Sequence, residues 1–251
     1  MGRGDALTYD GVPVTSLGAR LGVEDLTYRE QVGSTLDLIH DFGASGIASG
    51  AVVLADEQTG GRGRYGRNWY SPRGAGIWLG YLLRVVGPLE TGVLSLRVGV
   101  AVAKALRALD VVVQLKWPND IFLGERKLAG ILCEARTGEQ AGWIAIGLGM
   151  NVYGSLPDGL RVSATSLEEH HGQISRIAVL EQMLPAFGRL SHASRLTDAE
   201  RAAFAHADAL LGRRLEQPVR GIASGIDEDG ALLVETGTGV ERILGGTVEV
   251  E

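Results

Sequence analysis

Residues 57–69 read EQTGGRGRYGRNW, with four glycines (Gly60, Gly61, Gly63, Gly66) and three arginines (Arg62, Arg64, Arg67) inside eight positions. Glycine lets a ligand approach the backbone closely. Arginine presents a planar fork of donors that matches carboxylate and phosphate oxygens. A loop made of both is suited to clamping an anion. The chain carries a net charge of −6, so this positive charge is concentrated against the overall balance. That balance argues against a general nucleic-acid binder.

Gly61, Gly63 and Gly66 satisfy G-x-G-x-x-G, but three nucleotide-binding readings of the pattern fail. A dinucleotide fold needs a helix straight after the glycines. Residues 68–74, NWYSPRG, are turn-rich and broken by Pro72. A kinase needs an H-R-D loop followed by D-F-G. The one Asp-Phe-Gly, at Asp41, lies upstream of the glycines, and there is no H-R-D. No glycine loop is followed by G-K-[ST], which removes the P-loop.

Hydrophobic periodicity predicts the elements that must hold this loop. Strands are expected at residues 26–32, 51–56, 77–85, 111–117 and 143–151, and a hairpin at 121–134 turning at 124–126. The strand at 51–56 delivers the glycine-arginine loop. Helices are expected near 35–42, at 91–109, at 176–190 and at 197–207, the last opened by the capping box Thr197 to Glu200. The helix at 91–109 is apolar around most of its circumference and should be buried. Ser34 or Thr35 suits an N-cap, and both hydroxyls could also face a ligand. Residues 154–172 read as loop. From residue 209 short strands at 215–219, 221–226, 231–235, 240–244 and 247–250 suggest a small β-barrel.

Composition is that of a soluble globular protein: 251 residues, 45% hydrophobic and 22% charged, with 37 glycines that favour a loop-rich β-containing enzyme. The single cysteine, Cys133, excludes an intrachain disulfide and reads as a small core residue. No secretory signal and no membrane-length apolar run are found, so a cytoplasmic protein without a membrane association is expected. The tripeptide Arg3-Gly4-Asp5 reads as accidental.

Four stretches taken together are more specific than the loop alone. They are Gly33-Ser34-Thr35; Gln58-x-x-Gly61-Arg62-Gly63-Arg64-x-Gly66-Arg67-x-Trp69; Lys116-Trp117-Pro118-Asn119-Asp120 followed by Lys127-Leu128-Ala129-Gly130-Ile131-Leu132; and Gly147-Leu148-Gly149-Met150-Asn151. In type and order they resemble biotin protein ligase, from about Leu26 to the C-terminus. The resemblance implies an α+β fold, a mixed sheet flanked by helices of the class II synthetase-like kind, with a C-terminal SH3-like β-barrel. It implies residues 1–24 as an extension, 25–208 as the catalytic domain and 209–251 as the barrel.

The implied activity has two steps. Biotin's carboxylate attacks the α-phosphate of ATP, giving biotinyl-5′-AMP and pyrophosphate. A lysine of a biotin carboxyl carrier protein domain then attacks the acyl carbon and expels AMP. ATP with Mg²⁺ and biotin enter as substrates, with no resident metal site and no bound prosthetic group. By resemblance, Ser34, Thr35, Gln58 and Gly130 meet biotin, and Arg62, Gly63 and Arg64 close over biotin and the acyl phosphate. Arg67 and Trp69 meet the phosphates and adenine. Lys116, Asn119 and Asp120 line the nucleotide and magnesium side. Lys127 bridges the two reacting anions, and Asn151 contacts the adenine end. Lys127, Arg64 and Asp120 form the expected catalytic set.

One position departs from the family pattern. Leu36 stands where a polar residue, commonly asparagine, follows the Ser-Thr pair. Family members that repress transcription carry an N-terminal helix-turn-helix domain, which the segment before Leu26 is too short to hold, so no specific DNA binding is expected. Lipoate ligases and octanoyl transferases share the fold and are the alternative reading; a biotin-sensing repressor is disfavoured. The oligomeric state is left open, a homodimer included.

Overall fold

The computed structural model describes residues 7–87, 91–137, 142–154, 156–161, 163–172 and 174–251; Arg3-Gly4-Asp5 lies outside them. In chain order the described elements are β1 (Thr8–Tyr9), β2 (Val12–Pro13), α1 (Val14–Leu21), β3 (Leu26–Val32), α2 (Thr35–Ala44), β4 (Val52–Gln58), β5 (Gly76–Val85) and α3 (Thr91–Arg107). There follow β6 (Gln114–Lys116), β7 (Asp120–Leu123), β8 (Arg126–Arg136), β9 (Gly142–Asn151), α4 (Asp158–Arg161), α5 (Glu168–His171), α6 (Arg176–Phe187) and α7 (Asp198–Ala205). The last are β10 (Arg214–Gln217), β11 (Gly221–Ile226), β12 (Leu232–Thr236), β13 (Gly239–Ile243) and β14 (Glu249–Val250).

The central sheet runs β3-β4-β5-β9-β8-β7-β6 and is mixed, because β3 and β4 pair in parallel and the other neighbours antiparallel. The pleat of β9, WIAIGLGMN from Trp143, sorts its side chains by size. Ile144, Ile146, Leu148 and Met150 enter the large core shared with α3 and α6, while Ala145 faces α2 with Trp143, Leu36 and Ile39. Gly147 and Gly149 lie on that second face by the same alternation, leaving it low enough for other groups to settle on.

The C-terminal strands form an antiparallel sheet in the order β13-β12-β11-β10-β14. The five strands expected there are present. The outer strands β13 and β14 have no pairing with each other among the described residues, so the unit is barrel-like without a closed ladder. The indole of Trp117 fastens it to the central sheet by donating to the Gly230 carbonyl at 2.9 Å.

Three local differences have clear physical causes. Residues 8–21, within the segment expected as an N-terminal extension, form a hairpin and a helix because Tyr9, Leu17 and Leu21 have a core to enter. Asp10 holds that segment to Arg176, which also reaches Asp56 at 2.8 Å. The loop expected at 154–172 contains α4 and α5 around the fully buried Thr165, Ser166 and Leu167. The strand expected at 111–117 ladders only over Gln114–Lys116, since the Val111 amide donates to Leu106 at the end of α3. Cys133 is half-buried, packs against the core, and has its thiol pushed up to about 12 by burial.

Candidate active site

A cleft of about 780 Å³ opens on the glycine face of β8 and β9 and runs from the start of α2 to the C-terminal sheet. All fourteen residues expected at the site line it: Ser34, Thr35, Gln58, Arg62, Gly63, Arg64, Arg67, Trp69, Lys116, Asn119, Asp120, Lys127, Gly130 and Asn151.

At one end the strand-to-helix turn at Gly33 places Ser34 as the N-cap of α2, its hydroxyl accepting from the Leu36 amide at 3.4 Å. Gln58 Oε1 accepts from the Thr35 amide at 2.9 Å and the Thr35 hydroxyl at 3.2 Å. Its Nε2 donates to the Ser71 hydroxyl at 3.0 Å, and Ser71 is itself buried. Three polar side chains are thus pre-set against one another at a nearly dry end. Leu36, the departure from the family pattern, is buried there: a Cβ on Gly147 would lie 3.0 Å from its branch. The wall at that point is apolar.

The floor of the middle is made by Gly130 and Gly149, which face each other across β8 and β9. The indole of Trp69 lies on this pair. A Cβ on Gly149 would collide with Trp69 Nε1 and Cε2, and one on Gly130 would come within 3.1 Å of its six-membered ring. Trp69 Nε1 is buried against this floor without a hydrogen-bond partner among the described residues.

Lys127 reaches this floor because of a defect in the ladder. In an unbroken strand it would point to the face opposite Gly130, three residues on. A register shift between Ile121 and Phe122 interrupts the β7–β8 pairing, and the Lys127 amine ends 3.5 Å from where a Gly130 Cβ would stand. The backbone is clamped by Lys127 N donating to Ser163 O and Thr165 N donating to Lys127 O, each at 2.9 Å. The ammonium pairs with Asp120 at 2.7 Å and lies 5.2 Å from the centre of a Trp69 ring.

At the other end Asn119 Nδ2 donates to the Ile131 carbonyl at 2.8 Å, and its Oδ1 accepts from Arg64 at 3.2 Å. Burial lowers the Lys116 ammonium below the usual lysine range despite the neighbouring Asp120 carboxylate. Asn151 is buried and donates to the Thr165 carbonyl at 2.9 Å, so one of its functions is to hold the segment that clamps Lys127. Among the described residues no group of three or more His, Cys, Asp or Glu is arranged to hold a metal ion.

The loop above the cleft is hinged rather than packed. Tyr65 and Gly66 have φ of 58° and 72°, which turns the chain sharply, and Tyr65 is 66% exposed. Arg62 is tied down by Glu134 Oε1 at 3.1 Å and Asp37 at 2.8 Å. The Glu134 hydrogen bond is the main reason its guanidinium is held above the usual range. Among the described residues the partners of Arg64 are neutral, Asn119 and the Tyr65 hydroxyl. Arg67 is exposed, with no side-chain partner among the described residues.

The motifs did not disclose Ser71, Leu156, Leu160, Ser163, Ala164 or the C-terminal Gly246, Thr247 and Val248 as lining residues. The last three bring the C-terminal sheet to the loop end of the cleft, where a Gly245 Cβ would lie 3.9 Å from Arg64.

Comparison with known proteins identifies the class of ligase to which this fold and cleft belong. Residues 28–151 match the Biotin/lipoate A/B protein ligase family, and residues 211–250 match the Biotin protein ligase C terminal domain. The chain is 34% identical over 236 residues to the biotin--[acetyl-CoA-carboxylase] ligase of Mycobacterium tuberculosis, covering 88% of this chain and 87% of that one. It is 34% identical over 241 residues to the bifunctional ligase/repressor BirA of Bacillus spizizenii, covering 90% of this chain and 74% of the relative. The biotin protein ligase of Aquifex aeolicus, solved with biotin and ATP, superposes with a TM-score of 0.78 at 27% identity, covering 91% of this chain and 99% of that one. The chain belongs to the biotin/lipoate ligase family and, within it, to the biotin protein ligases. No helix among the described residues is long and apolar enough to cross a membrane.

Proposed function

We propose that this ligase activates biotin as biotinyl-5′-AMP with ATP and Mg²⁺, then transfers it to a lysine of a biotin carboxyl carrier protein domain. The observation that carries this reading is the continuity of the cleft. A small, preset polar end (Ser34, Thr35, Gln58) and a cation-rich end (Lys116, Arg64, Arg67) open into one space, with Lys127 between them.

In the first step two anions must meet, so fixed positive charge has to offset their repulsion. The biotin carboxylate attacks the α-phosphorus, the bond to the β-phosphate breaks, and pyrophosphate leaves with its electrons. The Lys127 ammonium stands where both anions can reach it, and Asp120 holds it there until they arrive. Mg²⁺ enters with the nucleotide, on the side of Asn119 and Asp120. Trp69 offers the adenine a flat surface and Asn151 a carbonyl oxygen. In the second step the carrier lysine, as free amine, attacks the acyl carbon and AMP departs. Arg64 and Arg67, which pair with no carboxylate among the described residues, cover the acyl phosphate until then. In this reading residues 25–208 carry the chemistry, and residues 209–251 border its nucleotide end.

The carrier as acceptor rests on the names of the relatives and on an exposed loop that leaves the cleft reachable by a lysine. We propose no specific DNA reading by this chain. Helix α1 packs on α6, Asp10 pairs with Arg176 of α6, and the net charge is −6. A gel shift at physiological salt should give only weak, salt-sensitive binding.

The test is a carrier domain incubated with enzyme, biotin, ATP and Mg²⁺. The carrier should gain the mass of one biotinyl group while pyrophosphate appears in equal amount. Thermal shifts with biotin, lipoate or octanoate, each with and without ATP, separate the related reactions, because a ligand that binds only the native state stabilises by mass action. An unchanged carrier mass with no pyrophosphate, or stabilisation by lipoate and not biotin, would sink the proposal.

A further inference from the structure

One chain of hydrogen bonds joins the loop to the sheet through side chains that neither reaction step uses. It starts at Trp143, on β9, whose indole Nε1 donates to Nδ1 of His40 at 3.0 Å. An indole nitrogen can only donate, so His40 Nδ1 is the acceptor and the ring proton sits on Nε2. His40 Nε2 therefore donates to Glu134 Oε2, at 2.8 Å. Glu134 in turn accepts from Arg62 through Oε1 (from Nε, 3.1 Å) and Oε2 (from Nη2, 3.2 Å). Asp37 takes the remaining nitrogen, Nη1, at 2.8 Å.

Two features set this chain apart from ordinary packing. His40 lies on the buried side of α2 with 3% exposure, beside Leu36 and Ile39, where an aliphatic side chain would fill the core at lower cost. Glu134 interrupts an apolar strand on the cleft face of β8, two pleats beyond Gly130, with β9 paired behind it. A carboxylate on so rigid a base fixes whatever it holds. What it holds is the first arginine of the loop, while Arg64 and Arg67 pair with no carboxylate among the described residues.

We propose that His40 and Glu134 are positioning residues that fasten Arg62, and with it the first half of the loop, over the cleft. Arg62 is the loop's anchor, and Arg64 and Arg67 are its anion-facing arginines. The inference rests on the ligase reading for its catalytic consequence but not for the anchoring itself, so two measurements separate them.

The first is amide hydrogen exchange in the ligand-free protein, following Gly63, Arg67 and Trp69, whose amides close the loop onto Arg67 O, Arg64 O and Gly61 O. With His40→Leu and with Glu134→Gln these amides should exchange about threefold to fivefold faster, the expected scale for losing a half-exposed ion pair. His40→Gln keeps a donor near the Nε2 position and should stay close to wild type. Amides of β9 should not change in any variant. If His40→Leu does not fold, Glu134→Gln decides alone. Wild-type exchange of the loop in a folded Glu134→Gln protein would overturn the anchor.

The second is steady-state biotin turnover. His40→Leu should raise KM for biotin by about threefold to fivefold while kcat stays within about twofold, with His40→Gln restoring KM. A loosened loop with unchanged KM would overturn the positioning role in the reaction. Absence of turnover even in wild type would instead refute the ligase reading, and the exchange result would still stand.

Discussion

The two walls of the cleft are held by different physics. The floor is sheet: Gly130 and Gly149 are laddered on both sides, Lys127 is clamped by the backbone of Ser163 and Thr165, and Asn151 is buried. The loop that covers it, from Gly61 to Trp69, has three internal backbone bonds and a turn at Tyr65–Gly66, and is fastened by ion pairs of Arg62. Interlocked packing fixes a group to a fraction of an ångström, whereas a half-exposed ion pair costs little to open. Groups that must already be in place when two anions meet belong on the floor. Groups that must let substrate in and an acceptor lysine through belong on the loop.

The largest effect should therefore come from the floor. Lys127→Ala should fold normally and slow single-turnover pyrophosphate release at saturating ATP and biotin by on the order of 10²–10³-fold, the usual loss for one preorganised donor. An ammonium between the reacting anions stabilises the transition state more than either ground state, so the loss belongs in rate. A rate within about threefold of wild type would mean that the floor supplies shape and not chemistry.

A smaller effect, and of a different kind, is expected from the loop. Arg64→Gly removes the cover over the acyl phosphate and its bonds to Asn119 and Tyr65. The activated intermediate should escape about tenfold more often, the scale of one lost bond to a charged group. Bystander proteins should then be biotinylated on surface lysines, visible on a streptavidin blot. Loss of all activity without bystander labelling would move Arg64 from the cover to the chemical step.

The floor itself can be divided. Gly149→Ala places a methyl group against the rigid Trp69 ring and should raise KM for ATP by about tenfold, as overpacking costs some 1–3 kcal/mol. Gly147→Ala meets the Leu36 branch and should raise KM for biotin by about threefold, leaving ATP unaffected. Equal effects of both changes on both substrates would indicate that the two ends are not separate.

This division also explains what was legible in the sequence. The glycine-arginine loop, the Lys116–Asp120 run and the glycines of β9 are local patterns, and the elements around them fell close to their expected positions. The partners of Arg62 were not legible. Glu134 lies 72 residues away in sequence and His40 lies 94 residues from Glu134, and no periodicity links such positions. The only local sign was a histidine on a buried helix face and a carboxylate in an otherwise apolar strand. The bulge that aims Lys127 was equally hidden, since alternation alone puts it on the wrong face. Residues 8–21 gave no signal because their few apolar side chains become a core element only once α6 is there to receive them.

The smallest effect tests the ion pair that fastens the loop. Burial alone would raise the Glu134 carboxyl, but the hydrogen bonds from Arg62 and His40 outweigh it and hold it below the ordinary glutamate range. A carboxyl lowered on folding contributes stability that is fully present above its unfolded value, about 4.3, and is lost as pH falls through the folded value. Glu134 is 30% exposed and Arg62 28%, so the pair contributes at most about 1 kcal/mol. In a chain of this size that corresponds to about 2–4 °C in Tm. Glu134→Gln should melt lower than wild type by no more than this at pH 7. The gap should persist to pH 5 and close as pH falls below about 4, since wild type then loses by protonation what the variant lacks by substitution. A gap that stays constant to pH 3 would mean that Glu134 acts by packing and not by charge. A gap of 10 °C would mean that the loop is fastened as firmly as the floor, and the contrast between the two walls would fail.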